Sequence, residues 1–292
     1  MQLGFGDFYF LGYYSIANYI YLPSNCNRKE IKINFSNIKG LLLDLEGVVY
    51  EENKLVNGAL DTINKLLSYN FKIKYLTNTT VTPRKQILKK LLKFKLSIIE
   101  TDIFTPPIAA GIFLKKNKIS KIFLLTKQLL QEDFKEFIID KVKPEAIILG
   151  DLYKGFNWEK LNEVFRLIHN NDILIVALHK NKYCKRENKI GLDLGPFVAA
   201  LEYATSKKSI LIGKPEQNFF NLAIEDMRLR KEEVLMIGDD IFADIGGAKN
   251  NSIPAIQVRT GKFQKKDETN SHLQPDYRIN SIVDLPNILK IT

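Results

Sequence analysis

From Ile38 onward, short continuous apolar runs trade places with segments whose apolar residues recur at helical spacing. IKGLLLDL and FKIKYL are too short and too evenly apolar for surface helices, and they read as buried strands. GALDTINKLLSYN and TPRKQILKKLLKF gather their apolar residues on one helical face. Strand and helix alternating in this way predict an α/β fold, a doubly wound and mostly parallel sheet with helices on both faces. The same rhythm returns near the C-terminus in KSILIGKPEQNFFNLAIEDM, EEVLMIGDDIFADIGGAKNN and PAIQVRTG.

Between these blocks, KIFLLTK, EAIILGD, WEKLNEVFRLIHN and DILIVALHKNKY repeat the alternation, enough for a smaller α/β domain. On WEKLNEVFRLIHN, Trp158 and Phe165 follow helical spacing and are expected in that domain's core. The expected organisation is an N-terminal extension at 1–36, a first core segment at 37–116, an inserted domain at 117–206 and a second core segment at 207–292. The extension carries FGDFYFLGYYSIANYIYL, rich in Phe and Tyr but interrupted by Asp7, Ser15 and Asn18. It falls short of the about 20 strongly apolar residues of a spanning helix and lacks the basic start of a signal peptide. An appended segment is expected there and no transmembrane segment.

An apolar share of 45% and a charged share of 26% over 292 residues are those of a soluble globular protein with ample core. Two cysteines, Cys26 and Cys184, give neither a disulfide framework nor a metal-binding pair, which points to the reducing cytoplasm. The net charge of +10 raises nucleic acid as a partner. The lysines are dispersed, however, and the cluster from Arg84 to Lys95 is the solvated face of a helix. With no recognised nucleic-acid module present, none is expected as partner. The charge also suits an anionic substrate.

Four predicted strands end on polar residues. They are Asp44 with Glu46 after GLLL, Thr77, Asn78 and Thr79 after IKYL, Lys214 after ILIG, and Asp239 and Asp240 after VLMIG, with Asp244 beyond. In open α/β sheets ligands bind beyond these carboxyl ends. Carboxylates converging there repel one another unless a cation joins them, and an oxygen-rich cluster suits Mg²⁺. A lysine and a hydroxyl-plus-amide turn supply what a phosphoryl group needs. One carboxylate can then serve as nucleophile and a second as acid and base. Singly, each piece has a plainer use, as helix cap, turn or surface loop; in this order together they point to phosphoryl transfer.

In the same order, DLEGVVY, LTN, GKP and GDDIFAD resemble the four motifs of the haloacid dehalogenase (HAD) superfamily of phosphohydrolases. The insertion between the second and third resembles subfamily IIA, whose Rossmann-like core carries a large α/β cap. HKNKYCKRENKIGLDLGPFVAALEYAT, GKPEQNFF and AIQVRTGKF are most similar to two of its branches. These are the HAD-like hydrolase domain-containing type 2 proteins and the phospholysine phosphohistidine inorganic pyrophosphate phosphatases. The resemblance runs from about Asn37 to the C-terminus. It implies a cytoplasmic, Mg²⁺-dependent phosphatase of a small phosphorylated substrate, working through an aspartyl-phosphate, with a homodimer in keeping with the family. By the same resemblance Asp44 is the nucleophile, and Asp44, the main-chain carbonyl of Glu46 and Asp239 hold the metal. Thr77, Asn78 and Thr79 meet the phosphoryl group, Lys214 neutralises charge, and Asp244 orients water or Lys214. Asp240 is either a second-layer residue or a helix cap.

Glu46 departs from the pattern. Most phosphatases of the superfamily carry Asp there as acid and base, and the two branches usually carry Ser. Glu restores a carboxyl group with one more methylene, about 1.5 Å of added reach. Two outcomes stay open: a working phosphatase, or a catalytically weakened homologue that binds a phosphorylated ligand or a protein partner. The resemblance also puts specificity in the cap, with Lys180, Tyr183, Lys185 and Arg186 as candidates. His179 reads as a structural, hydrogen-bonded histidine and Cys184 as inert.

Overall fold

The computed structural model describes residues 34–186, 189–269 and 273–291. The N-terminal extension lies outside them, as do the side chains of residues 185 and 186 and hence the calls on Lys185 and Arg186. The chain first lays down β1 (Gly40–Asp44), β2 (Tyr50–Glu51), β3 (Lys54–Leu55), α1 (Ala59–Ser68), β4 (Lys72–Leu76), α2 (Arg84–Lys93), β5 (Ile103–Phe104) and α3 (Pro106–Lys116). It continues through β6 (Lys121–Leu125), β7 (Ile138–Ile139), β8 (Ala146–Leu149), α4 (Trp158–Asn170), β9 (Leu174–Ala177), β10 (Tyr183–Arg186), β11 (Lys189–Leu192), α5 (Leu194–Thr205) and β12 (Ile210–Leu211). It closes with α6 (Gln217–Met227), β13 (Val234–Gly238), α7 (Gly247–Asn250), β14 (Ala255–Val258), β15 (Tyr277–Ile279) and α8 (Leu285–Ile288).

Two parallel sheets result, one in the order β15-β14-β13-β1-β4-β5 and one in the order β12-β9-β8-β6-β7. The strands of the first come from both ends of the described chain and those of the second from residues 121–211. β1 and β13 lie at the centre of their sheet and are buried along their whole length, so their sequences carry no polar alternation.

Successive strand residues face opposite sides, and the two sides join different cores. Leu41 and Leu43 of β1 pack with α1 and α2, whereas Leu42 packs with α3 and α6. In the second sheet, Ala146 and Ile148 of β8 join that same α3 and α6 core, while Ile147 and Leu149 pack with α4 and α5. One apolar layer built on α3 and α6 therefore serves both sheets. Among the described residues no helix is long and apolar enough to cross a membrane.

Trp158 corrects the sequence expectation, being 70% exposed. The buried stripe of α4 is Val164 and Ile168, with Leu161 and Phe165 packed at its edge. Trp158 stands at the first helical position, six residues before the stripe begins at Val164.

Candidate active site

Strand register builds the site. Leu43 of β1 lies opposite Ile237 of β13, and Asp44 lies opposite Leu76 of β4. Asp239 and Thr77, which follow those strands directly, thus emerge beside Asp44 at adjacent carboxyl ends. Lys214 arrives by another route. Sequence patterning grouped ILIG with the C-terminal block, but β12 pairs with β9 of the second sheet through Ile210 opposite Val176. Just beyond it the side chain of Asn78 clasps the Lys214 main chain on both sides. Lys214 N donates to Asn78 Oδ1 at 2.8 Å, and Asn78 Nδ2 donates to Lys214 O at 3.0 Å. The Lys214–Pro215 peptide is cis.

Held this way, Lys214 Nζ donates to Asp44 Oδ1 at 2.5 Å and to Asp244 Oδ1 at 2.7 Å. Asp44, Asp239 and Asp244 are all buried, with ligand atoms within 4.8 Å of one another. Burial raises the Asp44 carboxyl above its ordinary range, the Lys214 ammonium opposes it, and Asp239 adds to the rise. Asp239 and Asp244 are pushed up too, first by burial and then by neighbouring carboxylates. Burial alone would pull the Lys214 amine down, but Asp244 and Asp44 outweigh it and hold it charged.

Three buried carboxylates against one buried ammonium leave the cluster net negative. Asp239 sharpens the imbalance. Its Oδ2 accepts from Lys262 N at 2.6 Å, while its Oδ1 is buried with no hydrogen-bond partner among the described residues. An orphaned carboxylate oxygen facing other carboxylates is costly. An all-oxygen donor set of this kind fits a hard divalent cation such as Mg²⁺.

Asp240 stands apart as a cap: its Oδ1 accepts from Phe242 N and Ala243 N, both at 3.0 Å, opening a π-helical turn at Ile241–Gly246. Its Oδ2 meets Lys262 Nζ at 3.1 Å. Burial would raise the Asp240 carboxyl, but the capping N–H groups and Lys262 bring it below its usual range. Thr77 Oγ1 accepts from Thr79 N at 3.3 Å, shaping the turn after β4. The side chain of Glu46 is exposed and turned to the β2–β3 hairpin, its Oε1 accepting from Glu52 N at 2.7 Å. Lys180 pairs with Glu202 at 2.6 Å, and Tyr183 is 65% exposed on β10. His179 is buried, with Asn181 N donating to its Nδ1 at 3.4 Å.

Sequence patterning missed the loop after β14. Lys262 N reaches Asp239, Thr260 Oγ1 donates to Gly47 O, and Gly261 N donates to Glu51 Oε1 at 2.9 Å. Gln257, fully buried on β14, donates from Nε2 to Asp239 O at 3.2 Å and accepts from Arg278 Nε at 3.0 Å. The available signal was a Thr-Gly pair at the carboxyl end of one more predicted parallel strand.

Two family models match the chain, a haloacid dehalogenase-like hydrolase model at residues 41–139 and a HAD-hydrolase-like model at 211–285. The phospholysine phosphohistidine inorganic pyrophosphate phosphatase of Xenopus laevis is 33% identical over 258 residues, 86% of this chain and 94% of that protein. The human haloacid dehalogenase-like hydrolase domain-containing protein 2 is 37% identical over 231 residues, 79% of this chain and 88% of that protein. Among solved structures, a 4-nitrophenylphosphatase from Thermotoga maritima aligns with a TM-score of 0.79 at 25% identity, over 87% of this chain and 98% of that one. A p-nitrophenyl phosphatase from Archaeoglobus fulgidus, at 22% identity and TM-score 0.79 over 86% and 99% of the two chains, shares the fold.

Proposed function

The chain belongs to the haloacid dehalogenase-like hydrolases, and from that premise we propose that it is a cytoplasmic, Mg²⁺-dependent phosphatase of small phosphorylated molecules. One observation carries this proposal: Asp44, Lys214, Asp239 and Asp244 meet in one buried, net negative cluster that, among the described residues, leaves Asp239 Oδ1 without a donor. The carboxylates of Asp44 and Asp239, with the main-chain oxygen of Glu46, would hold the cation. Bound there, Mg²⁺ would offset the negative charge of the site and of the phosphoryl oxygens.

In the reaction we propose, an Asp44 carboxylate oxygen attacks phosphorus and the bond to the leaving oxygen breaks. Glu46, turning from Glu52 N toward the cluster, would give that oxygen a proton. The resulting acyl phosphate on Asp44 is cleaved by water, which Glu46 deprotonates, releasing phosphate and restoring the carboxylate. Lys214, held by Asp44 and Asp244, keeps positive charge beside the nucleophile throughout. Residues 117–206 would form the cap over this site. The relatives' names suggest phospholysine, phosphohistidine and pyrophosphate as first substrates to try.

Turnover of an aryl phosphate with Mg²⁺ tests the proposal. Hydrolysis is expected from the wild type and not from Asp44→Asn; equal rates for the two would refute it. We also keep a second function in view, a weakened homologue that binds a phosphorylated ligand or protein partner, because the Glu46 carboxylate is engaged at the hairpin. Tight binding of a phosphorylated ligand without turnover would establish that function instead.

A further inference from the structure

We infer that Glu51, on the β2–β3 hairpin, is a positioning residue for the metal ligand Asp239 and acts through the loop at 260–262. The inference rests on the metal site proposed above and extends it to a residue outside the four motifs. The path is short. Glu51 Oε1 accepts from Gly261 N at 2.9 Å, and the next main-chain amide, Lys262 N, donates to Asp239 Oδ2 at 2.6 Å. The two amides belong to peptide planes joined at the Gly261 Cα, and the close approach of Gly47 and Asp239 to that Cα restricts the dihedrals between them, so anchoring the first amide limits where the second can point.

Packing leaves this loop no slack. Gly261 has φ +63°, and a Cβ there would stand 2.1 Å from Asp239 Oδ2. Gly47 faces it from the other side with φ +86°, where a Cβ would stand 2.2 Å from the same oxygen. Only residues lacking Cβ allow both backbones to close on the carboxylate. The Thr260 hydroxyl, donating to Gly47 O, pins the two segments together. Asp239 Oδ2 is therefore committed to the loop, and the orphaned Oδ1 is the oxygen left for a cation.

The hairpin that carries Glu51 is itself anchored. Lys90 Nζ donates to Glu52 O at 2.6 Å and lies 3.8 Å from the centre of the Tyr50 ring. Glu46 Oε1 accepts from Glu52 N. Glu51 is exposed, so its hold on the loop adds no buried charge to the cluster. Groups that orient metal ligands in this indirect way typically change affinity by about 10- to 100-fold when removed, and an exposed one belongs at the lower end.

The experiment measures Mn²⁺ affinity of the full chain, with Mn²⁺ standing in for Mg²⁺ and free Mn²⁺ counted by electron paramagnetic resonance. Asp239→Asn serves as the site control. Glu51→Ala is expected to weaken Mn²⁺ binding about tenfold. Glu51→Gln keeps an acceptor for Gly261 N and is expected within about twofold of wild type. Binding by Glu51→Ala equal to wild type overturns the inference alone. Equal weakening in Glu51→Gln makes the effect one of charge and overturns it too. Mn²⁺ binding that survives Asp239→Asn removes the metal site itself. The metal-free melting temperature of Glu51→Ala should stay within about 2 °C of wild type, as for other exposed substitutions. A collapse of that fold would make Glu51 a structural residue and end its positioning role. Because hydrolysis is not the readout, loss of the phosphatase proposal would leave these outcomes legible.

Discussion

Asn78 shows how much one side chain settles at this site. Its amide satisfies both the N–H and the C=O of Lys214, a residue only 5% exposed. Asn78→Ala strands two buried main-chain groups, each costing about 1–3 kcal/mol, and frees the lysine to drift from Asp44. Urea unfolding should show that loss, and kcat on an aryl phosphate should fall about 10- to 100-fold; unchanged kcat would place Asn78 outside the machinery. Glu46 calls for a different comparison. Glu46→Gln keeps an acceptor for Glu52 N but cannot pass a proton. It should slow alkyl phosphates by about 100-fold and aryl phosphates, whose leaving groups need less help, far less. Equal rates across both classes would leave Glu46 as a hairpin anchor. The acids and Lys214 were legible because charge at the end of a buried strand is costly without a purpose. Gly261, Lys262 and Glu51 were not, since a polar turn after a strand is ordinary and its contacts cross the chain.

At the scale of elements, α2 begins on Pro83, which offers no side-chain cap. The acceptor comes instead from Asp133 in the 3₁₀ segment Gln128–Phe134, both of whose carboxylate oxygens lie 3.2 Å from Arg84 N. Periodicity placed the helix well, but a cap supplied from outside the helix's own sequence leaves no local pattern. Burial lifts the Asp133 carboxyl to about 6 despite the Arg84 N–H that favours its charge. Its folded value thus exceeds the unfolded one, near 3.9. Protonation favours the folded state, so this contribution to stability is full below about pH 4 and is lost as pH rises through about 6. Asp133→Asn has no such titration and still accepts from Arg84 N. Melting curves should therefore show the variant gaining on wild type between pH 4.5 and pH 7. A difference independent of pH would contradict the assignment.

At the scale of the molecule, the alternation of strands and helices announced two α/β blocks, and the described residues form two parallel sheets. What patterning left unseen is that α3 and α6 are shared between them. α6 looks like an ordinary amphipathic helix in sequence, whereas α3, PPIAAGIFLKK, is apolar on most sides, as a helix packed on both flanks should be; only the fold shows which two sheets they serve. Phe104 sits in this layer at 0% exposure, edge-on to Phe219 at 5.2 Å between ring centres, and the same core holds Phe134 and Ile148 on the side of the second sheet. A layer common to both sheets couples their unfolding, because neither can open without exposing apolar surface belonging to the other. Phe104→Ala should cost about 3–5 kcal/mol. Hydrogen exchange under native conditions would then quicken together in β13 of the first sheet and β8 of the second, by similar factors. Faster exchange confined to β13 would mean that the inserted sheet holds its own stability and that the shared layer is a contact rather than a common core.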